Sequence, residues 1–396
     1  MHYSSITKRM KTKANNAWDV HWQAQKRYKQ GEDIIVLTVG DPGADPSMGA
    51  PTMLVETAID SLRKGRNHYT ALRGEPQVLQ AIVDAHNQRY AVPIDSHQVC
   101  VTFGAQGGLY LAANCILEAG DEAIVLEPTY STYFGLVQAT GAKLVQVAMC
   151  PEENFRINVD RIAAAITPNT RLIMVNTPSN PTGNVASQEE LEGLAELCIQ
   201  HDLWIMVDEV YGQFTYDCPH ISPADLPNMA ERTVILHSLS KSHAMPGFRA
   251  GWAVAPTELI HHMGVLFANI SFGIAPFIQD TLQAALTIGA DEVETMRQVY
   301  LRRRNMVCDS LIGLPKLHLR HPEAGVFVLI DIRQTGLTAY EFAADLLKGT
   351  GVAVLPGDGF GPSAEGHVRI SLTSPDESLE RACERMVDYL SKTYAD

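Results

Sequence analysis

The feature that most constrains this chain is an alternation. Between residues 98 and 255, short runs that are apolar at nearly every position alternate with longer stretches that are apolar on one side only. The runs are QVCVTFG (98–104), DEAIVLEP (121–128), AKLVQVAM (142–149), RLIMVNTP (171–178), LWIMVDEV (203–210), TVILHSLS (233–240) and the shorter AGWAVA (250–255). A strand apolar throughout must be covered on both faces, and amphipathic helices between such strands are what a largely parallel sheet of βαβ units requires. Helices are expected at LYLAANCILEAG (109–120), closed by Gly120, and at QEELEGLAELCIQHD (188–202).

From about Asp291 the texture changes. A long charged helix (EVETMRQVYLRRRNMVCDSL) leads to VFVLIDI, a helix at AYEFAADLLKG, VAVLP, HVRISL and a final helix. That order suits a smaller α/β unit. The first 48 residues offer one helix, one strand (IIVLTVG) and a Pro/Gly/Asp loop, too little to fold alone. The expected division is a large α/β domain over 49–290 and a small domain over 291–396, joined by the segment 1–48.

Composition removes several function classes. The chain carries 31 Lys and Arg against 45 Asp and Glu, a formal charge of −14, and the cations are scattered. It offers no basic stripe to a nucleic acid. No apolar run reaches the roughly 20 residues that span a bilayer, and MHYSSITKRMKTKANN lacks the apolar stretch of a secretory signal. Seven cysteines without a C-x-x-C pair, mostly in apolar contexts, are expected to be reduced, which implies a cytoplasmic location.

The chemistry gathers at strand ends, where open α/β sheets bind ligands. Asp208 terminates LWIMV, Asn176 and Asn180 follow LIMV, Gly104-Ala105-Gln106 follow VCVTF, and Lys241 follows TVILHSLS. A lysine becomes an amine nucleophile when desolvation or nearby cations lower its pKa. Ser238, Ser240 and Arg249 surround Lys241 with hydroxyls and a forked cation suited to a phosphate monoester. GAQGG (104–108) adds backbone N–H groups at a helix start. An amine for an aldehyde, a carboxylate (Asp208) for a pyridine nitrogen, and Tyr211 and Asn180 for a ring phenolate are together the needs of pyridoxal 5′-phosphate.

These motifs resemble the class I/II aminotransferases of fold type I along nearly the whole chain. NTPSNPTG (176–183) is similar to the family's N-x-P-x-N-P-T-G, VDEVY (207–211) to its strand-end Asp with Tyr three residues on, and SLSKSHAMPGFRAGW (238–252) to its S-x-S-K with G-x-R-x-G-W. The resemblance implies a mostly parallel, seven-stranded-type sheet in the large domain. It makes Lys241 the amine bonded to the cofactor and the base that moves the substrate proton. It sets Asp208 at the pyridine nitrogen, Asn180 and Tyr211 at the phenolate, and Ser238, Arg249 and the amides of Ala105 and Gln106 at the phosphate. Tyr130, in EPTYSTY, matches the ring stacked on the cofactor. Tyr69, in HYTALRG, matches a tyrosine donated across a homodimer. Arg369, in HVRISL, matches the clamp for the substrate carboxylate, and Gly40, in TVGDP, lies beside it.

Within the family, AWDVHWQA, HYTALRG, HDLWIMVDEVY and FGPSAEGHVRISL are most similar to arginine–pyruvate transaminases. A guanidinium substrate would want a carboxylate or an aromatic face; Asp41, Asp45 and Glu75 are loop carboxylates near the site, each with solvated loop charge as the simpler reading. The loop DPGADPSMGAP is a few residues longer than the family's acidic–proline–aspartate run. Rival readings are a β-lyase on sulfur amino acids, an aspartate or aromatic aminotransferase, and an aminotransferase-like sensor of a transcription regulator, the last lacking room for a DNA-binding module. His220 and the pair His261-His262 have no partner at metal spacing and are expected at the surface or at an interface. His243 is expected to line the loop, Arg302–Arg304 to face solvent, and GDGFG (357–361) to be a plain turn.

Overall fold

The computed structural model describes residues 2–10, 17–288 and 290–394. In chain order α1 (Ile6–Arg9), α2 (Ala17–Lys29), β1 (Ile35–Val36), α3 (Thr52–Arg63) and α4 (Pro76–Arg89) come first. The expected alternation follows as β2 (Val99–Phe103), α5 (Gly104–Ile116), β3 (Glu122–Glu127), α6 (Thr132–Thr140), β4 (Lys143–Ala148), α7 (Val159–Ala165), β5 (Thr170–Asn176), α8 (Gln188–Gln200), β6 (Trp204–Asp208), β7 (Thr233–Ser238), the one-turn α9 (Leu239–Ser242) and β8 (Ala250–Val254). Helices α10 (Thr257–Ile270), α11 (Pro276–Ile288) and α12 (Ala290–Leu311) lead to β9 (Phe327–Asp331), α13 (Ala339–Thr350), β10 (Val352–Ala353), β11 (Leu355–Pro356), β12 (His367–Ser371) and α14 (Asp376–Thr393).

The central sheet has seven strands in the order β2-β8-β7-β6-β5-β3-β4. All are parallel except β8, which runs antiparallel to both neighbours. The cause is the short link 239–249: a parallel crossover needs a dozen or more residues and usually a full helix. As a result the start of β8 lies at the same sheet edge as the ends of β5, β6 and β7, with Gly251 opposite Ser238 and Ala250 opposite Phe103. Arg249 therefore arrives beside Lys241.

A second hydrophobic cluster draws on both ends of the chain. Val20, Ala24, Ile35 and Leu37 pack with Tyr300, Val328, Leu346, Ile370 and Met386. Strands β11, β12 and β9 form an antiparallel sheet there, and β1 pairs with β10. Helix α13 is closed at its start by reciprocal bonds between Thr338 and Glu341. No helix among the described residues is long and apolar enough to cross a membrane, and all seven cysteines are free.

Four expectations need correction. Helix α5 begins at Gly104, so GAQGG is its first turn, and it stops at Ile116 because buried Leu117 is already extended toward β3. IIVLTVG pairs as a strand only over Ile35–Val36; past Leu37 its carbonyls serve the site instead. Arg303 and Arg304 do not face solvent. Arg303, 2 % exposed, is held by Asp45 at 2.5 Å and Asp376 at 2.6 Å, and Arg304 pairs with Asp217. His220 is half-buried, its side chain turned inward against Glu209 at 2.8 Å, whereas His261 and His262 are exposed.

Candidate active site

A cavity of about 360 Å³ opens at the carboxyl ends of β5, β6 and β7. Asn176, Asp208, Ser238, Lys241 and Arg249 reach it from the large sheet, and Gly40, Phe327 and Arg369 from the terminal segments. Ala105, Gln106, Tyr130, Asn180, Tyr211 and Ser240 also line it. Of the residues that the resemblance assigns to the cofactor or the substrate carboxylate, Tyr69 alone stands apart, 80 % exposed, with its ring 5.2 Å from that of Phe272.

Lys241 sits one turn past β7, its Nζ donating to the Gly40 carbonyl at 2.5 Å. Burial pushes its pKa down to about 8; Arg369 and Arg249 push the same way, while Asp41 and Asp208 oppose. The amine is thus close to losing its proton at neutral pH, which a nucleophile and base requires.

Asp208 is buried, and burial raises its pKa to about 6 against bonds from the Tyr133 hydroxyl (2.6 Å) and the Val210 amide (3.2 Å). No ion pair reaches this carboxylate among the described residues. Beside it, Asn176 donates to the Asp208 carbonyl at 3.0 Å and accepts from the Asn180 amide at 2.8 Å, tying the ends of β5 and β6 to the NPTG loop.

Opposite, Arg369 is buried, only 4 % exposed. Its Nη1 donates to Asn180 Oδ1 at 2.8 Å and its Nη2 to the Thr38 carbonyl at 2.7 Å, while Nε has no partner. The guanidinium lies 3.9 Å from the Phe327 ring centroid and 4.7 Å from that of Phe360. Burial lowers its pKa to about 10. GDGFG is therefore more than a turn, since Phe360 is one wall of the cation's slot.

The third corner gathers donors. Gly104 has φ +74°, and a Cβ there would stand 2.5 Å from Arg249 Nη2. Only glycine lets the start of α5 approach this guanidinium. Arg249 itself is left-handed (φ 52°), its Nη1 donating to the Pro246 carbonyl at 2.7 Å. The Ser238 hydroxyl accepts from the Ser240 amide at 3.1 Å, and Ala105 and Gln106 of the first turn of α5, where amides lack partners within the helix, line the same cavity.

This arrangement fits pyridoxal 5′-phosphate. An anion without a counter-charge, a depressed amine, an unpaired buried Arg369 Nε and a cradle that a Cβ would fill are costs to the chain alone. A cationic ring nitrogen, an aldehyde, a substrate carboxylate and a phosphate would relieve them in turn.

Sequence reading missed Tyr133, Phe327 and Phe360. Tyr133 stands three residues after Tyr130 on the first turn of α6, a helical spacing that could have flagged it. Phe327 reaches Arg369 diagonally across β9 and β12, a register invisible in sequence.

The comparisons agree with the geometry. The model for aminotransferase class I and II matches residues 32–386. An arginine–pyruvate transaminase of Pseudomonas aeruginosa is 45% identical over 386 residues, covering 98% of this chain and 97% of its own. An aspartate aminotransferase of Pyrococcus horikoshii is 32% identical over 91% of this chain and 92% of its own. The solved aspartate aminotransferase of Thermus thermophilus with maleate superposes with a TM-score of 0.91 at 32% identity, over 98% of this chain and all (100%) of that one. This chain therefore belongs to the class I and II aminotransferase family, pyridoxal phosphate-dependent enzymes of fold type I.

Proposed function

We propose that this enzyme transfers the amino group of L-arginine to pyruvate in two half-reactions, the donor leaving as its oxo acid before the acceptor binds. The observation that carries this reading is the 45% identity to an arginine–pyruvate transaminase across almost the whole of both chains. The residues of the cavity supply the steps.

Pyridoxal phosphate, when bound, supplies an aldehyde that captures amines and a ring that delocalises the electron pair left when a Cα–H bond breaks. Lys241 provides the amine that holds the aldehyde between turnovers. With the cofactor bound, its Nζ would be the base that takes up and returns the substrate's Cα proton, a task suited to an amine depressed to about 8. Asp208 keeps the ring nitrogen protonated, and Tyr133 fixes that carboxylate. Asn180 and Tyr211 serve the ring oxygen. Ser238, Ser240, Arg249 and the amides of Ala105 and Gln106 hold the phosphate, and Tyr130 covers the ring. Arg369 grips the α-carboxylate through the donors that Asn180 and Thr38 leave free, beside the backbone of Gly40. A side chain at Gly40 would collide with the Phe327 ring.

The same reading gives a cofactor-binding unit over 49–290, a second unit from 1–48 with 291–396, and a cytoplasmic homodimer in which the exposed Tyr69 completes a neighbour's phosphate site. Sedimentation should show a dimer, and Tyr69→Phe should weaken cofactor binding; a fully active monomer refutes the shared site. The donor is tested by offering the twenty amino acids with pyruvate and with 2-oxoglutarate. Arginine with pyruvate should give the highest kcat/KM. A higher value for aspartate with 2-oxoglutarate would refute the donor assignment and leave the transaminase reading standing.

A further inference from the structure

A cationic donor side chain needs an anion at the end of its reach, because a guanidinium removed from water without one is costly. The carboxylates near the cavity sort themselves by partner. Asp45 caps the turn Pro46–Met48 through the Ser47 amide and is locked to buried Arg303 at 2.5 Å. Glu75 pairs with Arg66, which also holds Asp280. Asp208 lies at the end of β6, engaged by Tyr133. Glu127 is held by Ser363 at 2.7 Å.

Asp41 differs from these. It lines the cavity with Lys241 and Arg369. One of its oxygens accepts from the Gly43 amide at 2.9 Å as the cap of the turn Pro42–Ala44, and no cation pairs with it among the described residues. It is also the anion that most favours the charged form of Lys241. Once Lys241 is neutral or bonded to the cofactor, Asp41 faces the cavity without a counter-charge. Trp18, 41 % exposed, lines the same cavity. The rings of Phe327 and Phe360 are already covered by Arg369.

We propose that Asp41, with the Trp18 ring that lines the same cavity, receives the side-chain cation of the amino donor and so determines specificity for a guanidinium-bearing substrate. The inference rests on the arginine reading above and names the residue that would enforce it. The loop DPGADPSM gains a physical role: two successive Asp-Pro turns set Asp41 in the cavity and anchor Asp45 to Arg303. Acidic donors would meet like charge at Asp41, which disfavours them. A half-buried carboxylate at Asp358, in the adjoining groove of about 900 Å³ that Trp18 and Phe360 also line, is the competing acceptor.

The test compares holoenzymes carrying Asp41→Asn, Asp41→Arg and Asp358→Asn. Asparagine keeps an oxygen for the Gly43 cap and removes only the charge. The expected result for Asp41→Asn is a fall in the kcat/KM ratio of arginine over alanine on the order of 100-fold, the size of losing one partner of a desolvated charge pair. Asp41→Arg should invert the preference toward glutamate, and Asp358→Asn should leave the ratio within about threefold. Calorimetry with 4-guanidinobutyrate, which has no amine to react, should show weaker binding in Asp41→Asn while butyrate binds alike. Equal losses for arginine and alanine in Asp41→Asn, or a selective loss in Asp358→Asn instead, overturn the assignment. If the wild-type enzyme shows no preference for cationic donors, the arginine reading itself has failed; if it prefers arginine and Asp41→Asn does too, only this inference has.

Discussion

Asp208 and Glu209 are neighbours in sequence, both buried, and they titrate in opposite directions. They stand at the end of one strand, where successive side chains point to opposite faces. On the cavity side, Asp208 has two neutral donors, and burial lifts it to about 6. On the other side, burial also opposes the Glu209 charge, but His220 and further partners outweigh it and hold the carboxyl at about 2. Glu209 takes a bond from Ser222 at 2.6 Å and from Tyr90 at 2.7 Å, with His220 at 2.8 Å. One carboxylate is fully satisfied by the fold, and the other is kept for a ligand. The same division holds more widely: Arg303 is saturated by two aspartates, whereas Arg369 keeps an unpaired Nε. Functional groups here are recognisable by what they lack.

Four variants sharpen or break that contrast. The largest effect is expected for Lys241→Ala, which should lower kcat on the order of 10⁴-fold or more and abolish the absorbance band near the visible edge; turnover near the wild-type rate would remove Lys241 from the mechanism. Asp208→Asn should cost on the order of 10³-fold in kcat by removing the anion at the ring nitrogen. In the cofactor-free protein it should instead add about 1–2 kcal/mol at neutral pH. The sign follows from the raised pKa. The folded chain holds a proton that the unfolded chain releases, so the penalty of Asp208 grows as pH rises from about 4 through about 6 and is constant above. Urea titrations of both cofactor-free proteins at pH 4.5 and 7.5 should show a clearly larger gap at the higher pH.

Glu209→Gln inverts that pattern. It should destabilise the chain by about 2–4 kcal/mol while leaving kcat of the folded fraction within a few-fold. The Glu209 contribution, from a depressed pKa, is present above the unfolded carboxyl range and is lost as pH falls toward about 2. A loss of kcat without a loss of stability would erase the distinction between the two carboxylates. The smallest effect is expected for Tyr133→Phe, on the order of tenfold in kcat, with the acid limb of the pH–rate profile moved upward because the bond that favours ionised Asp208 is gone. An unmoved limb would show that Tyr133 packs and does not tune.

The strands and the site residues were legible for different reasons. Runs such as LWIMV and TVIL announce buried strands because nothing polar interrupts them, and the strand-end polar residues stand out against them. NTPSNPTG, VDEVY and SLSK then pointed to the chemistry through their resemblance to aminotransferase motifs. The reading failed where a residue's role depends on distant chain. Three arginines in a row look solvated until Asp45 and Asp217 meet two of them from far upstream. GDGFG looks like a turn until Arg369 lies over Phe360.

The sequence by itself determined the alternating α/β order, because that depends on local periodicity, and it pointed to the cofactor through short motifs along single segments that resemble those of the aminotransferases. Tertiary structure alone decided which charges are spent and which are kept. That choice depends on burial and on partners brought from opposite ends of the chain, as when Thr38 and Asn180 converge on Arg369 and leave one nitrogen open.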